Sequence, residues 1–391
     1  MKLYENESYR RENQTEVLSC ETIDGKNWIR LKDTIFFPEE GGQYADTGIL
    51  RNGDVTVRVL DGQLKQGEIF YLVDQPLEAG AQVECVLDWE QRFMRMQQHT
   101  GEHILTGLIH RHFGYNNVGF HLSDESPVTL DLDGMLTAEQ IARMELLSNE
   151  IVYQNLPVTA SYPSREELPD LTYRSKIEIE GQVRLITIGE AQDPVDVCAC
   201  CAPHVARTGE VGLIKVISFQ KYKGGIRLNI LCGRRAFQHF QEQTEIMNSL
   251  ARRFSTSMDK VMGCVEGQAK EIADLKSRVS AFAEKRLADQ IAALPDSAHA
   301  CLFVEEEISQ VAAKNSFNAM TARFPGYVGL FLGTDEKGYR FQAGSAALDA
   351  RELMEMMKER LDAKGGGSPR MVQGKTAAKK AEIADLFAEL R

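Results

Sequence analysis

The sequence predicts an α+β protein: a β-rich N-terminal subdomain (residues 1–90), an α/β core (91–235), a helical or coiled-coil arm (236–295) and a C-terminal α/β domain (296–391). Three observations carry this prediction. Runs of β-formers between Gly and Asp turns fill the first 90 residues, helix-period and strand-period stretches alternate to about residue 235, and an apolar three–four repeat without strand signals follows. A chain of 391 residues allows two to four domains of ~100–200 residues each. Hydrophobic residues make up 43% and charged residues 26%, which excludes a disordered low-complexity chain.

Taken in order, NWIRLKDTIFF, VTVRVLDGQ and AQVECVLDW read as strands, and the first leads into the glycine-containing loop FFPEEGGQYADTG. From 87 to 113, Phe93, Met96, His99, His103, Leu105 and Ile109 recur at helical spacing. VTLDLDG is the next strand. TAEQIARMELLSNEIVYQ follows as a helix, with Thr137 as N-cap and Gln140 at the capping-box position. Residues 182–190 and 211–232 read as strands, the latter with a Gly-Gly hairpin turn in KYKGGIRLNILCG. In the arm, Met258, Val261, Val265, Gln268, Ile272, Leu275, Val279 and Phe282 alternate spacings of three and four, a heptad seam that implies a coiled coil and a homodimer. A single amphipathic helix lying on its own domain is the alternative. ACLFVEEE and YVGLFLG then read as buried strands, and RELMEMMKERL and KTAAKKAEIADLFAEL as helices flanking GGGSPRMVQGK.

No window of ~18 uncharged apolar residues exists, so no membrane span is expected. MKLYENESYRRENQTEV has no apolar stretch of the kind a secretory signal carries, so a cytoplasmic setting is expected. In a reducing compartment, the clustered Cys198, Cys200 and Cys201 point to metal binding before disulfides.

The chemistry-bearing strings are QQHTGEHIL and DVCACCAPH. His99 and His103 are four apart on the expected helix, so both imidazoles project from one face. Cys200 and His204 flank a turn containing Pro203, with Cys201 as a competing thiolate. Alone, the His pair is a weak signal, since two helix histidines need have no ligand role, and the Cys/His pair is moderate evidence. Together, three imidazoles and one thiolate match the ligand number and softness of zinc. His99-Thr-Gly-Glu102-His103 also spells the inverted zincin protease string, with Glu102 as general base. That reading leaves Cys200 and His204 without a role.

Four motifs in order carry a resemblance. TIFFPEEGGQYADTG (34–48), His99-x-x-x-His103, Cys200-x-x-x-His204 with the run to Gly233, and GGGSPRMVQGK (365–375) together resemble the editing domain of alanyl-tRNA synthetases and free-standing AlaX editing proteins of the long form. The last motif resembles the DHH-associated C-terminal domain of that group. Glu40 stands where a further glycine is common in the family's loop. Only about 90 residues precede His99, too few for a class II aminoacylation domain.

The resemblance implies an aminoacyl-tRNA deacylase that hydrolyses misacylated tRNA(Ala) in trans, Ser-tRNA(Ala) first and Gly-tRNA(Ala) second. It makes 91–235 a zinc-containing editing core with His99, His103, Cys200 and His204 as ligands. Glu102, Thr100 and Gln43 are the expected catalytic residues, with Gln43 facing the acyl group. Such an editor is needed because a pocket shaped for alanine rejects glycine or serine by only ~1–3 kcal/mol. A non-catalytic, zinc-stabilised tRNA-binding protein is the rival reading.

Net charge is −12, so phosphate contacts need local patches. Residues 205–235 hold seven Lys/Arg against one acid, and 364–380 hold five with none. Lys221, Tyr222, Lys223 and Arg227 form the first candidate RNA surface, Tyr222 as a stacking face. Gly365, Gly366, Gly367, Arg370 and Lys375 form the second. No nucleoside triphosphate is expected. Six residues separate Gly367 from Gly374-Lys375-Thr376, where a phosphate loop needs four between its glycines.

Overall fold

The computed structural model describes residues 1–175, 181–305 and 307–390, which form two compact units, Met1–Ile246 and Met247–Arg391. The boundaries expected at 90 and 235 therefore fall inside the first unit. No helix among the described residues is long and apolar enough to cross a membrane.

The first unit opens with a closed barrel. Its strands are β1 (Glu12–Ile23), β2 (Lys26–Leu31), β3 (Gly48–Asn52), β4 (Val55–Lys65), β5 (Glu68–Val73) and β6 (Gln82–Leu87), in the order β1-β2-β5-β4-β3-β6. Alternating side chains fill the interior with Val17, Ile29, Leu50, Val57, Tyr71 and Val83. β6 closes the barrel on β1 and leads straight into α1 (Trp89–Phe113). Asp88 caps α1 through its side chain, and Gly114, in the left-handed region, ends it.

α1 is the axis of the rest of this unit. Every residue from Arg95 to Ile109 is buried, because neighbours surround the helix on all sides. They include β7 (Asn117–His121), β8 (Val128–Leu132), α2 (Ala138–Gln154), β9 (Val158–Ser161), β10 (Leu185–Ile188), β11 (Asp196–Ala199), β12 (Ile214–Tyr222) and β13 (Gly225–Cys232). These strands form a four-stranded sheet, β12-β13-β8-β7, and a three-stranded one, β11-β10-β9. The capping box at Thr137 and Gln140 is formed.

The expected arm is not one helix. α3 (Gly233–Arg253) stops before Ser255, which takes a left-handed conformation, and α4 (Val261–Ala293) restarts the helix. In the second unit, β14 (Ala300–Val304), α5 (Gln310–Arg323) and β15 (Val328–Thr334) form a parallel crossover. β16 (Gly338–Gly344), α6 (Ala350–Leu361), β17 (Lys364–Gly367), β18 (Met371–Thr376) and α7 (Lys380–Glu389) complete a sheet of order β14-β15-β16-β18-β17. Thus GGGSPRMVQGK is a β-hairpin, and the last helix starts at Lys380, five residues later than expected. Glu306, within the expected strand ACLFVEEE, lies outside the described residues.

Candidate metal centre

The sequence places two ligand pairs about a hundred residues apart, and the fold brings them together. His99 and His103 face one way from α1, and the turn after β11 carries Cys200 and His204 onto that face. The ligand atoms of all four lie within 4.8 Å of one another. Cys200 Sγ lies 3.6 Å from His99 Nε2 and 3.4 Å from His204 Nε2. Zinc–nitrogen and zinc–sulfur bond lengths in a tetrahedron demand an N···S edge of about 3.6 Å. The donor set therefore fits a zinc-sized ion with little movement. Cys201 does not compete, since its side chain lies against Glu40 and Gly41.

Each imidazole has its other nitrogen committed. His99 Nδ1–H donates to Gln43 Oε1 at 2.8 Å, and His103 Nδ1–H donates to Asp196 Oδ2 at 3.0 Å. His204 Nδ1–H donates to Thr100 Oγ1 at 3.0 Å, and the same oxygen accepts from the Val205 N–H. With Nδ1 engaged in each ring, all three Nε2 atoms are turned toward the centre. Thr100, expected as catalytic, thus has its hydroxyl occupied in orienting His204.

Electrostatics agree with a cation site. Burial alone would raise the Cys200 thiol, but the imidazoles of His99, His204 and His103 hold it well below its ordinary value. Burial pushes His204 down to about 3 despite the neighbouring thiolate, which keeps it neutral. His103 goes the other way. Burial would lower it, but the neighbouring Cys198 and Glu102 and the hydrogen bond to Asp196 outweigh that effect and raise it well above 6.5, so without a bound cation its Nε2 carries a proton toward the centre.

Asp196 is a residue that sequence reading missed. It is 4% exposed and takes three donors: His103 Nδ1, Arg174 Nε at 2.7 Å and Arg174 Nη2 at 2.8 Å. Burial would raise this carboxyl, yet the bonds from His103 and Arg174 bring it down to about 2. Gly107 makes the approach possible, because a Cβ there would come within 2.7 Å of the Asp196 Cβ. His103, Asp196 and Cys198 form a second cluster of ligand-type atoms, but Arg174 already supplies its cation. The one sequence signal for Asp196 was its place at the head of DVCACCAPH.

Glu102 is buried at 1% exposure. Its Oε1 accepts from Thr106 Oγ1 and Asn117 Nδ2, and its Oε2 lies 3.7 Å from His103 Nε2, the metal-facing nitrogen. With Cys200 and His204 filling the remaining directions, Glu102 has the place of a neighbour to the centre, unlike a zincin with an open position.

Gln43 is fully buried and comes from the loop between β2 and β3. Glu40 and Gln43 exchange backbone hydrogen bonds around Gly41 and Gly42, both left-handed. A Cβ on Gly42 would meet the Phe120 carbonyl oxygen at 2.4 Å. Glu40 has no positive φ, so its side chain is tolerated in the family's glycine position. Gln43 Oε1 is spent on His99, and its Nε2 is buried with no hydrogen-bond partner among the described residues.

The first RNA surface is smaller than the charge count implied. Arg227 forms a two-point ion pair with Asp131 and lies 3.7 Å over the Tyr222 ring, covering one stacking face. Lys215 pairs with Glu145 and Arg234 with Glu90, while Arg207 and Arg235 bond to backbone carbonyls. Lys221 and Lys223, at the hairpin tip, have no acidic partner among the described residues. In the second region, Arg370 immediately precedes β18 and Lys375 lies near its far end, while Gly365 to Gly367 lie in the exposed edge strand β17. Register sets Arg340, Lys375 and Lys364 side by side across β16, β18 and β17.

Comparison with known proteins covers almost the whole chain. Residues 183–229 match the family described as "Threonyl and Alanyl tRNA synthetase second additional domain", and residues 8–91 match "tRNA synthetases class II (A)". The second match falls on the barrel. An alanine–tRNA ligase of Pyrobaculum neutrophilum is 30% identical over 95% of this chain but only 42% of its own length. The chain thus spans about two fifths of such ligases. Alanyl-tRNA editing protein AlaX-L of Pyrococcus horikoshii is 26% identical over 99% of this chain and 97% of its own. Alanyl-tRNA editing protein Aarsd1 of Danio rerio is 29% identical over 94% and 89%.

Proposed function

We propose that the chain is an AlaX-type alanyl-tRNA editing protein and that it hydrolyses the ester of misacylated tRNA(Ala) in trans, acting as an aminoacyl-tRNA deacylase. Ser-tRNA(Ala) is the first substrate and Gly-tRNA(Ala) the second. The observation that carries the reading is the convergence of three Nε2 atoms and one Sγ at ligand-edge distances.

His99, His103, Cys200 and His204 would hold zinc, which supplies Lewis-acid polarisation and positioning of the tRNA 3′ end when bound. Gln43 offers its buried Nε2 as a donor to the acyl group, the feature able to separate serine from alanine. Glu102, anchored through Oε1, is placed to accept the proton of the water that attacks the ester carbonyl. Thr100 supports both by fixing His204.

Lys221, Lys223, Tyr222 and Arg227 at the β12–β13 hairpin are one proposed RNA contact. The glycine edge strand 365–367 with Lys375 and Arg370 is the other, reinforced by the cation row Arg340–Lys375–Lys364, whose members have no carboxylate partner among the described residues. Exposed Val265, Ile272, Leu275, Val279 and Phe282 on α4 keep the heptad seam available for a homodimer.

The test is deacylation of Ser-, Gly- and Ala-charged tRNA(Ala) by zinc-loaded protein. Release of serine with alanine spared supports the reading, and equal rates for both defeat it. A closed four-ligand set is also what a structural zinc has, which favours the binding-protein alternative. Tight tRNA binding without turnover would establish that alternative instead.

A further inference from the structure

α1 carries more than the two histidines. Arg92 and Arg95 precede His99 by seven and four residues, and both are buried, at 0% and 2% exposure. Buried guanidinium groups need several acceptors each, and the acceptors name their task. Arg92 bonds Asp46 through Nε and Nη2, the Ser8 carbonyl at 3.0 Å and the Ile35 carbonyl at 2.6 Å. It anchors the barrel. Arg95 has different partners. Its Nη1 donates to the Ala45 carbonyl and, at 3.4 Å, to that of Tyr44, both just after Gln43. Its Nε donates to Asp124 Oδ1 at 3.1 Å and its Nη2 to Asp124 Oδ2, on the segment after β7.

Those two segments are one wall. The Leu122 N–H donates to the Gly42 carbonyl at 2.8 Å, and the Phe120 ring lies 4.8 Å from the His99 ring. Thr47 Oγ1 donates to Gln91 Oε1 at 2.7 Å and Gln91 Nε2 to Asp124 at 3.2 Å, which ties the wall to α1 a second time. Four residues of α-helix, about 6 Å of rise, separate Arg95 from His99. The wall and the ligand are therefore measured from the same rigid rod.

We infer that Arg95 is a positioning residue for substrate discrimination: with Asp124 it fixes the height of Gln43 above His99, and so sets which acyl groups the wall accepts, without touching the metal ligands or the substrate. This rests on the deacylase reading. A lysine has the charge but not the fork that reaches Asp124 and two carbonyls together.

The test compares the full-length wild type with Arg95→Lys, Asp124→Asn and Asp124→Glu. Three measurements are made: amide hydrogen exchange across 40–47 and 120–124, binding of Co²⁺ alone followed by its absorption band, and kcat and KM on Ser- and Ala-charged tRNA(Ala). Arg95→Lys and Asp124→Asn should speed exchange of the wall about tenfold or more while Co²⁺ affinity stays within about twofold. The Ser-over-Ala ratio of kcat/KM should fall about tenfold, on the scale of a misplacement under 1 Å, and Asp124→Glu should recover part of it. Unchanged exchange overturns the inference. So does a loss of Co²⁺ affinity in parallel with activity, which marks a general structural role. If the wild type deacylates nothing, the parent reading fails, yet the exchange and Co²⁺ measurements still decide whether Arg95 holds the wall.

Discussion

Asp196→Asn separates two things the structure ties together, the orientation of a ligand and the neutralisation of a buried charge. Asp196 is 4% exposed and receives His103 Nδ1–H and two N–H groups of Arg174. Asparagine keeps one acceptor and replaces the other with an NH₂, so at least one of the three donors meets a donor. Partners of metal-binding histidines of this kind are worth 10–100-fold in metal affinity, or about 1.4–2.7 kcal/mol. Stranding Arg174 without its carboxylate costs more, about 3–5 kcal/mol of stability. The second term would mask the first, so the assay uses two variants. Metal affinity is read by competition with a chelator, and stability by denaturant unfolding of the metal-stripped protein. Asp196→Asn should lose on both axes. Asp196→Asn with Arg174→Met removes the orphan charge and should regain most of the stability while metal affinity stays low. If the double variant binds metal within twofold of the wild type, His103 does not depend on Asp196, and the reasoning from tautomer to affinity is wrong.

Three further outcomes follow from the same geometry. Cys200→Ser should lower bound zinc well below one per chain by elemental analysis, whereas Cys201→Ser, whose side chain faces Glu40, should leave the count unchanged. Gly42→Ala should destabilise the protein by about 1–3 kcal/mol in thermal unfolding, since Gly42 sits at φ +85° with the Phe120 carbonyl 2.4 Å from the new Cβ. Metal-stripped wild type should lose stability on acidification, on the order of 2–3 kcal/mol. Asp196, at about 2 folded against ~3.9 unfolded, contributes fully above pH ~4 and loses that contribution as the pH falls through about 2. Asp196→Asn should flatten that limb of the pH profile.

What was legible in the sequence was what is local. A His pair four apart and a Cys/His turn each announce themselves within five residues, because helix geometry and a Pro-containing turn fix their side chains. The capping box at Thr137 is equally local and is formed. What was illegible depends on distance. Asp196, Arg174 and Asn117 look like ordinary polar residues until β11 and β7 bring them against α1. The basic run 205–235 misled for the same reason: Asp131, Glu145 and Glu90, the acids that neutralise it, lie far away in the chain. The break in the arm at Ser255 carries no glycine or proline to announce it, and the three–four repeat runs on from Met258.

The boundary expected at residue 90 shows how composition can hide a dependence. Residues 1–88 are nearly all strand and loop and α1 begins at Trp89, so the sequence reads as a module followed by a core. Yet Arg92 and Arg95 find their acceptors at Ser8, Ile35, Ala45 and Asp46, and His99 finds Gln43. A core cut free at 90 would expose or strand two guanidinium groups that are now 0% and 2% exposed, and would leave the His99 imidazole without its orienting acceptor. The barrel and the helix that carries His99 and His103 therefore fold as one unit, with α1 as the part they share.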